Sequence, residues 1–127
     1  MGIFDRLFGG ASATEKLDGW QILESQDQLD EIIARSNDVP VLLFKHSTRC
    51  SISTMAQSRL FSQWNFTTEE IDAWYLDLIA HRDLSNKIAQ DLEVAHESPQ
   101  VILIRNGKAV YHESHGGITV EGIRTAL

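Results

Sequence analysis

Val41-Leu42-Leu43-Phe44-Lys45-His46-Ser47-Thr48-Arg49-Cys50-Ser51-Ile52-Ser53 is the stretch on which the reading of this chain turns. Its first four residues form an unbroken apolar run, the pattern of a strand covered on both faces in a parallel sheet. Downstream, Ile52, Met55, Ala56, Leu60 and Trp64 recur at spacings of three and four, which predicts one face of a helix. Cys50, the chain's only cysteine, therefore falls between a strand end and a helix start. Open α/β sheets place their ligands there. Free backbone N–H groups at the helix start, with Lys45, His46 and Arg49 nearby, favour the thiolate, the reactive form of cysteine. The competing reading is a small buried apolar residue, which free cysteines most often are.

Working outward, Trp20, Ile22 and Leu23 predict a first strand, and Ser25 followed by Gln28 is a capping-box signature for a helix burying Leu29, Ile32 and Ile33. Asn37-Asp38-Val39-Pro40 ends that helix. Beyond the Cys50 helix, Trp74, Tyr75, Leu76, Leu78 and Ile79 predict a strand. Asp83 is the expected cap of a helix carrying Leu84, Ile88 and Leu92. Val101 to Ile104 predicts a second buried strand, and Asn106-Gly107 a tight hairpin that returns through Ala109 to Glu113. Gly116-Gly117 interrupts the pattern before a last helix within 119–127. The order is β-α-β-α-β-α-β-β-α, parallel units closed by an antiparallel hairpin.

With 127 residues, 43% hydrophobic and 23% charged, the sequence reads as a single soluble domain over 19–127 preceded by a short arm over 1–18. A net charge of −7 argues against nucleic-acid binding, which needs a basic surface. No apolar run approaches the roughly 18 residues that span a bilayer, and no secretory leader is read, so a cytoplasmic location is expected. Ile3, Phe4, Leu7 and Phe8 would share one side of a helix in the arm, but a loose terminus is favoured there over a membrane contact. One cysteine allows no internal disulfide, so any disulfide is made with another molecule. The five histidines are dispersed without ligand spacing, and no metal site is expected.

Phe44 to Ser53, Asp77 to Ser85 and Glu97 to Ile104, in that order, resemble the monothiol bacilliredoxin family, and the likeness runs from about Gly19 to the C-terminus. The resemblance implies a thioredoxin-like α/β fold with a central mixed sheet flanked by helices. It also implies that the cysteine removes bacillithiol, a cysteinyl-glucosaminyl-malate thiol, from mixed disulfides on other proteins. Bacillithiol or a related small thiol is then a co-substrate, no cofactor is tightly bound, and the partners are bacillithiolated proteins. Family members usually carry proline directly after the cysteine. Here Ser51 follows, restoring a backbone donor near the sulfur.

On this reading Cys50 is the nucleophile. Ser53 holds the place of the resolving cysteine in dithiol relatives, where its hydroxyl can face the sulfur but cannot displace a disulfide. Lys45 and Arg49 are expected to meet the carboxylates of a malate-bearing thiol, with Thr48 and Ser51 completing the loop. An X-Pro bond is cis in only about 5–6% of cases, so sequence alone favours trans at Ser98-Pro99. The resemblance instead implies a cis proline opposite the cysteine, with Ser98 exposing backbone to the substrate and Gly116-Gly117 lining the same groove. Phe44 stands where many thioredoxins bury a carboxylate, and core packing is its expected role. Two other readings stay open from sequence: a carrier of iron-sulfur clusters resembling monothiol glutaredoxins, and a non-catalytic thioredoxin-fold adaptor whose cysteine merely packs.

Overall fold

Two turns with opposite chemistry bracket the sheet of this protein. At one end Asn106 and Gly107, with φ of 53° and 77°, make the tight turn joining β4 (Gln100–Arg105) to β5 (Lys108–Ser114). At the other end Cys50 leaves β2 (Val41–His46) and enters α2 (Ser51–Gln63). A computed structural model describes residues 19–127. The arm over 1–18, with Ile3, Phe4, Leu7 and Phe8, lies outside the described residues. The remaining elements are β1 (Trp20–Ile22), α1 (Gln26–Arg35), β3 (Asp72–Asp77), α3 (Arg82–Leu92), a 3-10 turn (His115–Gly117) and α4 (Val120–Ala126).

Among the described residues, the five strands are ordered β1-β3-β2-β4-β5. β3 runs parallel to both β1 and β2, whereas β4 is antiparallel to β2 and to β5. This is the mixed α/β sheet expected from the alternation of periods. Along β2 successive side chains point to opposite faces. Leu42 and Phe44 pack with Ala56 and Leu60 of α2 and Ile123 of α4. Val41 and Leu43 pack with Leu29 and Ile32 of α1 and with Leu84 and Ile88 of α3. All four of these β2 side chains are buried, which is why the run has no polar alternation.

Local chemistry sets the element ends. Ser25 Oγ accepts the N–H of Gln28 at 3.2 Å, and Gln28 Oε1 accepts the N–H of Glu24 at 2.7 Å, so the capping box forms with its return arm one residue upstream. Asp83 is not a cap: His81 holds that position without a side-chain bond, and Asp83 lies in the first turn of α3. Its charge still favours the helix start through the backbone dipole. β3 begins at Asp72 and ends at Asp77, leaving Leu78 and Ile79 in the following turn. The predicted face of α2 is also corrected. Its buried stripe is Ser53, Ala56 and Leu60, while Ile52 and Met55 are 55% and 66% exposed.

Candidate active site around Cys50

Cys50 is the N-cap residue of α2, in extended conformation, and its side chain is half-buried. Its carbonyl begins the helix by accepting the N–H of Thr54 at 3.0 Å and the Thr54 hydroxyl at 3.2 Å. The loop before it is closed twice. Cys50 N–H donates to Ser47 O at 3.2 Å, and Ser47 N–H donates to Ser53 Oγ at 3.3 Å. Thr48, Arg49 and Ser51 are exposed around the sulfur. Ser53 is fully buried, its oxygen holding the loop, and among the described residues no hydrogen bond reaches the Cys50 sulfur. The electropositive element that solvent can reach on this loop is therefore Arg49 together with the first turn of α2.

Sheet register brings a second segment to the same end. Lys45 of β2 is paired with Gln100 of β4, so the residues before Gln100 run beside the loop that leaves β2. The Ser98–Pro99 bond is cis, as the family likeness implied, and Pro99 is buried. Pro99 O accepts the N–H of His115 at 3.1 Å, which joins this segment to the 3-10 turn holding Gly116 and Gly117. Arg59 of α2 closes the ring from the other side. Its Nε and Nη2 donate to Ile118 O and His115 O, each at 3.1 Å. The Cys50 loop, Ser98–Pro99 and Gly116–Gly117 thus meet at one end of the sheet, with both glycines exposed.

Among the described residues, two polar atoms at this end are buried without a hydrogen-bond partner, Ser98 Oγ and His46 Nδ1. The His46 ring stacks on Phe44 with centroids 5.7 Å apart and lies 5.5 Å from the ring of Tyr75. Burial pushes His46 below the usual imidazole range, partly opposed by the Asp77 carboxylate and the Ser53 backbone. Phe44 itself is core, fully buried among the α2-side residues.

Lys45 departs from the expected surface cation. Its side chain is 0% exposed and points to the α3 face, opposite α2, because residues 44 and 45 fall on opposite sides of the pleat. Nζ lies 3.0 Å from His96 Nδ1, and Ser85 Oγ lies 3.4 Å from the same nitrogen. Burial lowers the Lys45 amine to about 8. From sequence His96 is weighed only as one of five dispersed histidines, and Ser85, Arg59 and Gln100 carry no assigned role. Their roles come from partners distant in sequence, and no local pattern announces them.

A thioredoxin-fold oxidoreductase working through one thiol is the class that this fold and site define. Residues 21–123 match the family model described as monothiol bacilliredoxin BrxC, and the chain belongs to the monothiol bacilliredoxin family. Among solved structures it is similar to a candidate oxidoreductase with a thioredoxin fold, 33% identical, with a TM-score of 0.70 over 84% of this chain and 92% of the other. It is also similar to thioredoxin from Trypanosoma brucei brucei, 14% identical, TM-score 0.68, over 91% and 94% of the two chains. A redox protein from Chlamydomonas reinhardtii matches at 20% identity and TM-score 0.65, over 84% of this chain and 34% of that one. The last two speak to the fold alone. Among the described residues no helix is long and apolar enough to cross a membrane.

Proposed function

We propose that this protein removes bacillithiol, or a closely related small thiol, from mixed disulfides on cytoplasmic client proteins, using Cys50 alone. The observation that carries this is the contrast between positions 50 and 53. The sulfur is half-buried at a helix start, while the place of a second thiol holds a fully buried serine already engaged with the loop. The Cys50 thiolate attacks the small-thiol sulfur of the mixed disulfide. A Cys50–small-thiol disulfide forms, and the client leaves as thiolate, taking a proton from water. A second small thiolate then attacks that disulfide, yielding the oxidised small-thiol dimer and restoring Cys50. Two electrons pass from the reducing thiol to the client, and no internal disulfide is needed.

Arg49 supplies an exposed cation for the carboxylates of an anionic thiol, and Thr48 and Ser51 supply hydroxyls beside the sulfur. Ser98 Oγ and His46 Nδ1, unpaired among the described residues, support a ligand with hydrogen-bonding groups of its own. Gly116 and Gly117 border the groove without side chains. The test is to incubate the full chain with a bacillithiol-modified protein and, separately, with oxidised glutathione, and to weigh the products. A bacillithiol adduct on Cys50 with release of the free client thiol is expected, with little glutathione adduct and none of either in Cys50→Ser. Equal adducts from both thiols would remove the bacillithiol assignment, and an unmodified Cys50 would remove the activity.

A further inference from the structure

Buried lysines normally sit against a carboxylate, because an unpaired ammonium out of water is costly. Lys45 does not: among the described residues no carboxylate pairs with it, and the side-chain atom it meets is the Nδ1 of His96 at 3.0 Å. An ammonium can only donate, so Nδ1 must accept, which requires the neutral imidazole with its proton on Nε2. Ser85 Oγ, at 3.4 Å, faces the same nitrogen and can donate to it as well. His96 itself lies at the surface, at the head of the segment that runs through Glu97 and Ser98 to Pro99.

Among the described residues, one other buried polar side chain ties that segment to the sheet. Gln100, the register partner of Lys45 and 1% exposed, donates through Nε2 to Ala95 O at 3.1 Å and accepts Glu97 N–H at 3.4 Å. Lys45 and Gln100 therefore stand side by side on adjacent strands and hold the start and the middle of one loop.

We propose that Lys45 and His96 are a positioning pair, a proton-sensitive tether that seats residues 95–99 and so sets the Ser98–Pro99 edge of the site against the Cys50 loop. Neutral His96 accepts a hydrogen bond from the Lys45 ammonium at Nδ1, and the edge is held. Protonated His96 has no lone pair left at Nδ1 and faces a buried cation, so the segment is released. The charges around the pair set the direction. Lys45 on β2 and Arg82 on α3 oppose charging of His96, while Glu97 on the segment, itself 3.8 Å from His115 Nε2 on the 3-10 turn, favours it; Leu76 on β3 and Gln100 on β4 carry no charge. Burial and the two cations hold His96 below the usual imidazole range, so the tether is intact at neutral pH and lost on the acid side. The catalytic consequence rests on the reading of Cys50 and Ser98–Pro99 as one site; the tether itself does not.

The experiment uses the full chain and two variants at one exposed position. His96→Gln keeps an acceptor for Lys45 but cannot titrate, and His96→Leu removes the acceptor. Amide hydrogen exchange of residues 95–100, corrected for its intrinsic pH dependence, reads the tether without any substrate. Between about pH 7.5 and about pH 5 the parent should lose protection roughly tenfold, His96→Gln should stay flat, and His96→Leu should be open at both. The KM for a bacillithiolated peptide should follow the same pattern, rising roughly fivefold where the segment is open, with alkylation of Cys50 by iodoacetamide unchanged. Equal protection in the parent and His96→Leu at neutral pH overturns the tether. Protection that follows the pattern while KM does not overturns its catalytic consequence. A parent that never releases the peptide thiol defeats the functional reading, and the exchange data still judge the tether.

Discussion

Ser53 Oγ accepts the backbone N–H of Ser47 at 3.3 Å, a bond that closes the loop around Cys50 from inside the first turn of α2. The serine that replaces a second thiol is thus a structural part of the loop. Ser53→Ala leaves the Ser47 donor without that acceptor, and since Ser47 is only half-buried, water can partly replace it. The expected loss is about 1 kcal/mol in urea unfolding. Single-turnover release of bacillithiol should slow roughly threefold to tenfold, as the sulfur loses its fixed direction of attack. A variant with the parent's stability and rate would show that this bond holds nothing.

Arg59 reaches from α2 to the carbonyls of His115 and Ile118, both at 3.1 Å, and pins the turn that carries Gly116 and Gly117. Arg59→Gln cannot span both acceptors. Thermal or urea unfolding should show a loss of about 1–2 kcal/mol, from two charge-assisted bonds that are partly solvated. If this turn lines the substrate site as proposed, KM for a bacillithiolated protein should rise with little change in kcat. An unchanged KM beside the lost stability would take Gly116 and Gly117 out of the binding surface.

Asp72, at the opposite end of β3, gathers three donors: Trp74 Nε1 at 3.0 Å, Gln21 Nε2 at 3.2 Å and Arg35 Nε at 3.3 Å. It is 7% exposed, so removing the carboxylate strands the buried indole N–H. Asp72→Ala should cost about 2–4 kcal/mol. Below its melting temperature the variant should transfer bacillithiol at the parent's rate, since Asp72 begins β3 while Cys50 follows the far end of β2. A stable but inactive variant would contradict this separation of the two ends.

Burial brings the Lys45 amine from its ordinary 10.5 to about 8 in the folded chain. Between those values the unfolded chain binds more protons than the folded one, so stability rises with pH across that window and the penalty is complete below it. Lys45→Met fills similar volume without a charge. It should be more stable than the parent at neutral pH and should lose the part of the alkaline rise that belongs to this amine, while its segment 95–99 is looser. Urea midpoints at about pH 7 and about pH 10 decide the matter. A less stable Lys45→Met with an unaltered slope would mean that the buried ammonium is compensated by groups other than His96.

The order of elements was legible because each rests on a local period. The unbroken run Val41 to Phe44, the four-residue steps of Leu84, Ile88 and Leu92, and the Asn106-Gly107 pair each act over a few residues. The same locality limits what the periods can show. Local pattern does not extend β3 to Asp72, because the partners that hide its charge lie on β1 and α1. Apolar character predicts Ile52 and Met55 on the inner face of α2, but the stripe that meets the sheet passes through Ser53.

By itself, the sequence determined that there is one thiol, that it sits between a strand and a helix, and that no second thiol follows it. Those are facts of composition and short-range spacing. Which side chains surround that thiol was decided only by tertiary structure. The pleat turns Lys45 away from the site, and sheet register brings His96, 51 residues on in the chain, to meet it. A strand's pairing partners are chosen by the whole buried sheet, so no local pattern in the chain can name them.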